Sequence, residues 1–312
     1  MTESNFIGSS TLAWAWDATS ISAFVRCPRY YYYKIVEGWT DDTPTHLQFG
    51  IFVHTAFQEY EKFRVNHSHD ESLRHMLRLL LPAVAAWTPL PPRSKSEELK
   101  TPENLIRLVI WYLEHYSADA LSTYLLHDGS AAVELNFNFQ TEFSLAKTPV
   151  HLCGYLDRIV VFNNDKFVDD YKTTTTTPSS YYFDRYDLDN QMCLYNLGAQ
   201  ILLATPIRGV IVDAIQLAVG FIRPVRSITY RTPDQLEEWL ENTQVWLAQA
   251  EAYASASSPS DPSRAYPMNL ASCGNYGGCE FAKVCSKSRQ IRSKVLASDF
   301  TKGPQWNPLI PR

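Results

Sequence analysis

Hydrophobic residues recur every three or four positions along the first part of the chain. This spacing places them on one side of an α-helix, so it predicts amphipathic helices. The predicted helices are residues 20–37, 47–65, 70–87 and 102–127. Residues 89–102 are rich in proline and charge and are predicted to be a loop.

The spacing of hydrophobic residues changes from three or four to two at residue 133. Val133, Leu135 and Phe137 alternate with polar residues, which predicts a strand with one buried face. Later segments complete the pattern: strands at 150–162 and 166–172, a helix at 184–203, a buried strand at 209–222 and a helix at 233–255. A flexible connector is predicted at 255–263, and the tail from 266 onward is predicted to be irregular. The order of elements predicts an α/β fold around a mixed sheet.

A two-residue turn is predicted between the second and third strands, at Asn163–Asn164, because asparagine tolerates positive φ. The register that follows pairs Phe162 with Asp165, Ile159 with Val168, Asp157 with Asp170, and Tyr155 with Lys172. Side chains alternate along a strand, so Asp157, Asp170 and Lys172 are predicted to share one face.

Two carboxylates that face each other across a strand pair repel one another unless a cation lies between them. Mg²⁺ prefers such oxygen ligands, and Lys172 is placed to stabilise a hydroxide or the charge that develops on a phosphate. The alternative is a solvated Asp–Lys pair on an exposed face. That alternative is the commoner one for a motif as short as D-x-K taken alone.

Composition and charge narrow the class of protein. Hydrophobic residues make up 45% of the 312 residues and aromatic residues 13%, which is enough for a packed core. A net charge of −5 argues against a nucleic-acid binder, although local patches or a bound cation would reverse this. No apolar run reaches membrane-spanning length, and the N-terminus lacks the pattern of a signal peptide. We therefore expect a cytoplasmic protein with no membrane contact, in which cysteines are metal ligands or core residues.

Further motifs surround the acidic pair in a fixed order. They are Gly50 and His54 on a predicted helix, Glu134 on the first strand, Gly154 ahead of Asp157, and Gln191 and Tyr195 on a later helix. This ordered set resembles the PD-(D/E)XK nuclease superfamily in its RecB-like branch, including the CRISPR-associated RecB-like iron–sulfur exonucleases and their phage relatives. The resemblance covers about residues 20–290.

The resemblance implies a role for each matching residue. His54, Asp157, Asp170 and the backbone carbonyl of Tyr171 would hold Mg²⁺ or Mn²⁺. The implied catalytic residues are Asp157, Asp170, Lys172 and Glu134, with Lys172 acting on the water nucleophile. Gln191 and Tyr195 would position DNA.

The resemblance also implies an architecture. The fold would be a restriction-endonuclease-like α/β core, a mixed central sheet flanked by helices, with a helical insertion and an iron–sulfur-capped end. The expected regions are a helical region at 1–130, the nuclease core at 131–255 and a cysteine-rich, basic region at 256–312.

One residue departs from the family pattern, which usually has an apolar residue before the D/E-x-K aspartate. Asp169 stands there, and by alternation it points to the opposite face with Phe167 and Tyr171, so it is not expected to be a ligand. The threonine run 173–177 ends the strand, and its four later residues have no assigned role.

Four cysteines form a second candidate metal site: Cys27, Cys273, Cys279 and Cys285. Four thiolates suit a [4Fe–4S] cluster or a structural Zn²⁺, and unligated core cysteines are the third alternative. Five residues separate each of the late cysteines from the next, which is wider than usual zinc spacing. The resemblance implies the iron–sulfur cluster.

The expected function is a metal-dependent DNA exonuclease in recombination, repair, phage DNA processing or CRISPR adaptation. The alternative is a non-cleaving factor that keeps the nuclease fold and binds DNA ends or assembles with other proteins. The expected partner is single-stranded or end-containing DNA. Two questions stay open: whether a helicase, recombinase or integrase is a partner, and whether the protein forms a homo-oligomer.

Overall fold

The computed structural model describes residues 4–41, 45–92, 94–258, 261–274 and 278–310. The chain forms two compact units. One consists of Met1–Asp42, Asn138–Gly154 and Thr232–Arg312, and the other of Thr43–Phe137 and Tyr155–Arg231. The three regions expected along the chain stay a prediction.

The unit that contains Tyr155–Arg231 is built from a mixed sheet and helices. Its helices are α3 (Thr45–Arg64), α4 (His69–Ala86), α5 (Pro102–His115), α6 (Ser180–Asp184) and α7 (Asn190–Leu203). Its strands are β3 (Ser122–Thr123), β6 (Asp165–Thr174), β7 (Gly209–Ala218) and β8 (Phe221–Tyr230), together with parts of β4 (Val133–Leu145) and β5 (Thr148–Phe162). The predicted α/β class with a mixed sheet and flanking helices is confirmed.

The sheet of this unit runs in the order β5, β6, β7, β8, with β3 on β5. The pair β6–β7 is parallel, and β5–β6, β7–β8 and β3–β5 are antiparallel. Asn163 and Asn164 both have positive φ, at 49° and 68°, as a type I′ turn requires. The predicted turn is therefore confirmed, and so are the pairs Phe162–Asp165 and Ile159–Val168.

A hydrophobic core joins α3, α4 and α5 to one face of the sheet. Tyr171, Ile215 and Leu217 from the strands are buried with Phe57 and Leu108 from the helices. Burial of such side chains stabilises the fold by roughly 1.5–3 kcal/mol each relative to exposure. This core fixes α3, and therefore the side chains that α3 directs toward the strands.

Helix α7 is held at its start by Asp189, whose carboxylate accepts hydrogen bonds from the backbone N–H groups of Gln191 and Met192. Farther along, Gly198 lies against the ring of Phe137. A Cβ atom at Gly198 would stand 2.7 Å from that ring, so only glycine allows this close approach. Together the cap and the glycine set the position of α7 within its unit.

The other unit holds the N-terminal segment and the C-terminal helices. Its elements are β1 (Ala15–Trp16), α1 (Ala18–Arg26), α2 (Pro28–Tyr31), a π-helical turn (Tyr32–Val36), β2 (Trp39–Thr40), α8 (Pro233–Ser255), α9 (Ala282–Cys285), α10 (Arg289–Asp299) and β9 (Thr301–Lys302). Strand β1 pairs in parallel with the first part of β5, and β2 pairs with β9. Among the described residues, no helix is both long and apolar enough to cross a membrane.

Several predicted elements are wrong at their boundaries. The helix predicted at 20–37 breaks at Cys27, which is extended ahead of Pro28. The helix predicted at 102–127 ends at His115, and the one predicted at 184–203 is replaced by α6 and α7. The strand predicted at 209–222 is two strands with Gly220 in the turn between them, so β8 was missed. The tail predicted to be irregular contains α10.

Candidate active site

Three possible metal ligands lie together where α3 meets β4 and β5. One ligand atom each from His54, Glu134 and Asp157 falls within 4.8 Å of the other two, and all three residues are half-buried. Glu134 has a φ of 51°, a left-handed backbone conformation that is uncommon outside glycine and often found at functional sites. Two carboxylates and an imidazole suit a divalent cation such as Mg²⁺ or Mn²⁺, so the donor set fits the expected metal.

Asp157 is held by contacts on both of its carboxylate oxygens. Oδ1 lies 3.2 Å from Nδ1 of His54, and Oδ2 accepts a hydrogen bond from the backbone N–H of Tyr171 at 2.9 Å. Burial alone would raise the pKa of Asp157. The charges of His54 and Lys172 and the Tyr171 N–H outweigh burial and lower the pKa, so the carboxylate stays ionised.

The pKa of His54 is shifted in the opposite direction to that of Asp157. Burial disfavours its charged form, but the adjacent Asp157 carboxylate outweighs burial and raises the pKa of the imidazole.

Lys172 stands between Asp170 and Gln191. Its Nζ lies 2.6 Å from Oδ2 of Asp170 and donates a hydrogen bond to Oε1 of Gln191 at 2.9 Å. Burial disfavours the ammonium, but the carboxylates of Asp170 and Asp157 outweigh it and raise the pKa of Lys172. Lys172 therefore keeps its charge at neutral pH.

Asp170 is almost fully buried. Burial, with a contribution from Asp157, raises its pKa to about 6, although the charge of Lys172 opposes this shift. Asp170 is not among the three grouped ligand atoms, and Glu134 is. The hydrogen-bonded ladder between β5 and β6 extends to the pair Arg158–Asp169. The predicted pair Asp157–Asp170 would be the next one, and it stays a prediction.

The remaining predicted residues lie on α7 and β6. Tyr195 follows Gln191 by one helical turn, and its ring meets Phe137 edge-on at 6.2 Å between centroids. Burial, together with the negative charges of Asp157 and Asp170, raises the pKa of Tyr195, so its hydroxyl stays protonated. Tyr171 lies in the β6–β7 ladder opposite Asp213, and metal binding by its carbonyl stays a prediction.

The comparison with protein families settles what kind of chain this is. A family model described as the PD-(D/E)XK nuclease superfamily matches residues 15–286, which is most of the sequence. The chain belongs to the PD-(D/E)XK nuclease superfamily. Its place in the RecB-like branch stays a prediction.

Comparisons with individual proteins add little to the family assignment. A crystal structure from Eubacterium rectale described as a "Putative exonuclease" has 11% identity and a TM-score of 0.46, covering 76% of this chain and 81% of its own. A crystal structure described as SSO0001 has 11% identity and a TM-score of 0.32, covering 78% of each chain. Both likenesses are too remote to carry an argument. No curated protein matches the chain.

The opposite face of the β5–β6 strand pair carries a buried charged network that the motif comparison missed. A guanidinium nitrogen of Arg158 lies 3.2 Å from Glu61 and 3.5 Å from Asp169, and donates to the hydroxyl of Tyr171 at 3.1 Å. Asp169 contacts Arg158 on this face, whereas Asp170 contacts Lys172, so the two aspartates lie on opposite faces as the alternation predicts. The signal for Arg158 was present, because the predicted register already paired it with Asp169.

The structure gives no support to the predicted metal site at the four cysteines of this nuclease-superfamily chain. Among the described residues, no three of their sulfur atoms lie within 4.8 Å of one another. Sulfurs bound to one tetrahedral Zn²⁺ would lie about 4 Å apart, given Zn–S bonds of about 2.3 Å.

Two of the cysteines have backbone contacts instead. The sulfur of Cys27 accepts from the N–H of Asn269 at 3.3 Å, and Cys273 donates to the Asn269 carbonyl at 3.7 Å. These distances argue against the zinc alternative, and the structure gives no support to the [4Fe–4S] cluster, which stays a prediction.

Proposed function

We propose that this member of the nuclease superfamily is a metal-dependent deoxyribonuclease that hydrolyses phosphodiester bonds, and that it acts as an exonuclease. The observation that carries the proposal is the group of three metal-ligand atoms from His54, Glu134 and Asp157. The charged Lys172 lies beside that group, paired with Asp170. A site for a cation next to a fixed ammonium is what the cleavage of a phosphate diester needs.

The metal would be held by His54, Glu134 and Asp157, with Asp170 and the Tyr171 carbonyl as the further ligands that the resemblance implies. A divalent cation, when bound, supplies positive charge to a phosphoryl oxygen and lowers the pKa of water. The lowered pKa of Asp157 keeps its carboxylate ionised and ready to bind. The N–H of Tyr171 orients that carboxylate through its other oxygen.

Lys172 acts through its charge and its N–H donors. Because its raised pKa keeps it protonated, it cannot accept a proton from water at neutral pH. It can donate a hydrogen bond to an attacking water or to a phosphoryl oxygen, and Asp170 and Gln191 hold its Nζ in place for that. Gln191 thus orients the lysine, in addition to its expected contact with DNA.

The finer parts of the proposal rest on the family resemblance. They are attack at DNA ends, a preference for Mg²⁺ or Mn²⁺, and work with a helicase, recombinase or integrase in recombination, repair, phage DNA processing or CRISPR adaptation. Assembly into a homo-oligomer likewise rests on the resemblance.

The test is cleavage of end-labelled linear DNA and of covalently closed circular single strands in the presence of Mn²⁺. We expect the linear strands to be degraded and the circles to resist. Lys172→Ala should slow cleavage at least about a hundredfold, because a preorganised charge donor is lost. Lys62→Ala, an exposed lysine of α3, is the matched control and should behave as wild type.

Other outcomes would change the proposal. Equal cleavage by Lys172→Ala and wild type would reject this active site. Cleavage of circles would replace the exonuclease by an endonuclease. Binding of DNA without cleavage by the wild-type protein would favour the binding or assembly factor.

A further inference from the structure

The segment between β6 and α7, residues 175–189, is fixed at both ends to the candidate active site. It begins just after Lys172 and ends at Asp189, which caps the helix that carries Gln191. Lys172 and Gln191 are themselves joined by a hydrogen bond of 2.9 Å. Leu188 lies three residues before Gln191, so their Cα atoms are at most roughly 11 Å apart. Whatever touches Leu188 is therefore close to the reacting groups.

The segment is ordered by its own contacts. Arg185 lies over the rings of Tyr182 and Tyr186, at 4.1 and 4.7 Å from their centroids, and donates to the Tyr186 hydroxyl at 2.7 Å. The Tyr186 carbonyl accepts from Arg231 at 2.7 Å, and Thr229 donates to Asp187 at 3.0 Å. These contacts tie the segment to residues at the end of β8. The exposure of its side chains is therefore built into the fold.

Two large apolar side chains of this ordered segment point into solvent. Leu188 is 95% exposed and Tyr181 is 85% exposed, the two highest values for large hydrophobic residues in the described parts of the chain. Single exposed apolar residues are common on protein surfaces. Two of them on one rigid segment next to an active site are typical of a surface that contacts a partner.

The charges of the segment decide which part of a nucleic acid it accepts. Asp184, Asp187 and Asp189 are acidic, and the only basic residue, Arg185, is already engaged with the two tyrosines. Phosphates are repelled by this surface, but the faces of bases are uncharged and stack on aromatic or apolar side chains. A duplex presents phosphates on its outside and keeps its bases stacked within. A flexible single strand carries phosphates too, but it can turn its unpaired bases toward the segment and its phosphates away from it.

We propose that Tyr181 and Leu188 form a contact for the unpaired bases of a single-stranded DNA end, and that this contact makes the protein prefer single-stranded over duplex DNA. The inference rests on the proposed nuclease function and names its substrate class. The contact positions the strand and takes no part in the chemistry.

The test compares the double variant Tyr181→Ala/Leu188→Ala with wild type on three end-labelled substrates. They are a single strand, the same strand with abasic sites at its terminus, and a blunt duplex. Loss of base stacking should lower kcat/KM on the normal strand about tenfold or more. Cleavage of the abasic strand and of the duplex should stay within about twofold of wild type, since neither offers unpaired bases to the segment.

Val219→Ala is the matched control. Val219 is 83% exposed in the turn between β7 and β8 of the same unit, so it tests the loss of an exposed apolar side chain away from the segment. It should cleave all three substrates as wild type does. Because Tyr181, Leu188 and Val219 are all exposed, we expect thermal melting to show that all variants fold.

The failure of this inference differs from the failure of the proposed function. If wild type cleaves but the double variant is unimpaired on the single strand, or equally impaired on the abasic strand, the base contact is wrong and the nuclease stands. If wild type cleaves none of the substrates, the function is wrong. The base contact is then tested by fluorescence anisotropy in EDTA. Weaker binding of the normal strand alone supports the contact, and unchanged binding rejects it.

Discussion

The two faces of the β5–β6 strand pair carry charged side chains of both signs but use them differently. On one face are Asp157, Asp170 and Lys172, and the side chain of Lys172 is 24% exposed. On the other are Arg158 and Asp169, whose side chains are 5% and 0% exposed. The first face, here called the open face, reaches solvent at Lys172 although Asp170 is buried, and the second is a sealed network.

The sealed face neutralises its charges within the protein. Arg158 contacts Glu61, Asp169 and Tyr171. Burial and the charge of Asp213 raise the pKa of Asp169 well above its ordinary value, against the opposing effect of Arg158. The buried charge of Arg158 is thus paired within the protein, as a stable interior requires.

The open face differs because it gathers possible metal ligands. The carboxylates of Glu134 and Asp157 lie together with the imidazole of His54, a donor set that suits a divalent cation. The comparison teaches that complementary buried pairs serve the fold, whereas acceptors gathered within reach of solvent serve chemistry. Variants on the open face should change activity, and variants on the sealed face should change stability.

The largest expected effect is on the open face. Asp157→Asn removes a charge but keeps an oxygen to accept the Tyr171 N–H. We expect cleavage to fall about a thousandfold, because the metal site loses a carboxylate, with little change in the free energy of unfolding. Asp165→Asn, 59% exposed in the same hairpin, is the control for both the rate and the urea midpoint. An Asp157→Asn protein that cleaves as wild type would remove Asp157 from the site.

The next effect is on the sealed face. Arg158→Met leaves the carboxylate of Glu61 without its buried partner, which should lower the free energy of unfolding by about 3–5 kcal/mol. Arg208→Met, an exposed arginine 4.0 Å from Asp165, should cost less than about 1 kcal/mol. Urea unfolding measures both. Adding Glu61→Gln to Arg158→Met should restore part of the loss, and a double variant no more stable than the single one would argue against the pair.

The smallest expected effect tests whether the side chain of Tyr171 serves stability while its backbone serves the active site. Tyr171→Phe removes the hydroxyl to which Arg158 donates and should lower the free energy of unfolding by about 1–2 kcal/mol. The N–H that Asp157 accepts and the carbonyl are unchanged, so the cleavage rate should stay at the wild-type level. A large fall in rate with unchanged stability would show that the two faces are not separate.

The hairpin with the acidic pair was predictable because its turn and its alternation are local properties. Asn163–Asn164 has the residue types of a type I′ turn, and the flanking hydrophobic positions set the register. The placement of Asp169 on the opposite face followed from the same alternation. The contact of His54 with Asp157 was expected only through the resemblance, since no local rule connects α3 to β5.

The misses have physical reasons of other kinds. The turn after Ala218 depends on the positive φ of Gly220. Pro224 and two arginines interrupt the hydrophobic pattern of the following strand β8, so the pattern does not predict it. Glu134 was expected to be catalytic but not to be a metal ligand, and its uncommon positive φ has no local sequence signal. The spacing of the cysteines suggested a cluster, but spacing along the chain does not specify the distance between sulfurs, and the structure gives the cluster no support.

The two-residue turn at Asn163–Asn164 also restricts how this hairpin can change in length during evolution. Inserting one residue would shift β6 by one residue against β5, which would move Asp169 to the face of Asp157 and move Asp170 and Lys172 to the face of Arg158. Inserting two would restore the original faces. Among relatives that keep cleavage, we expect insertions in this turn to come in even numbers, or a single insertion to be accompanied by a bulge that cancels it.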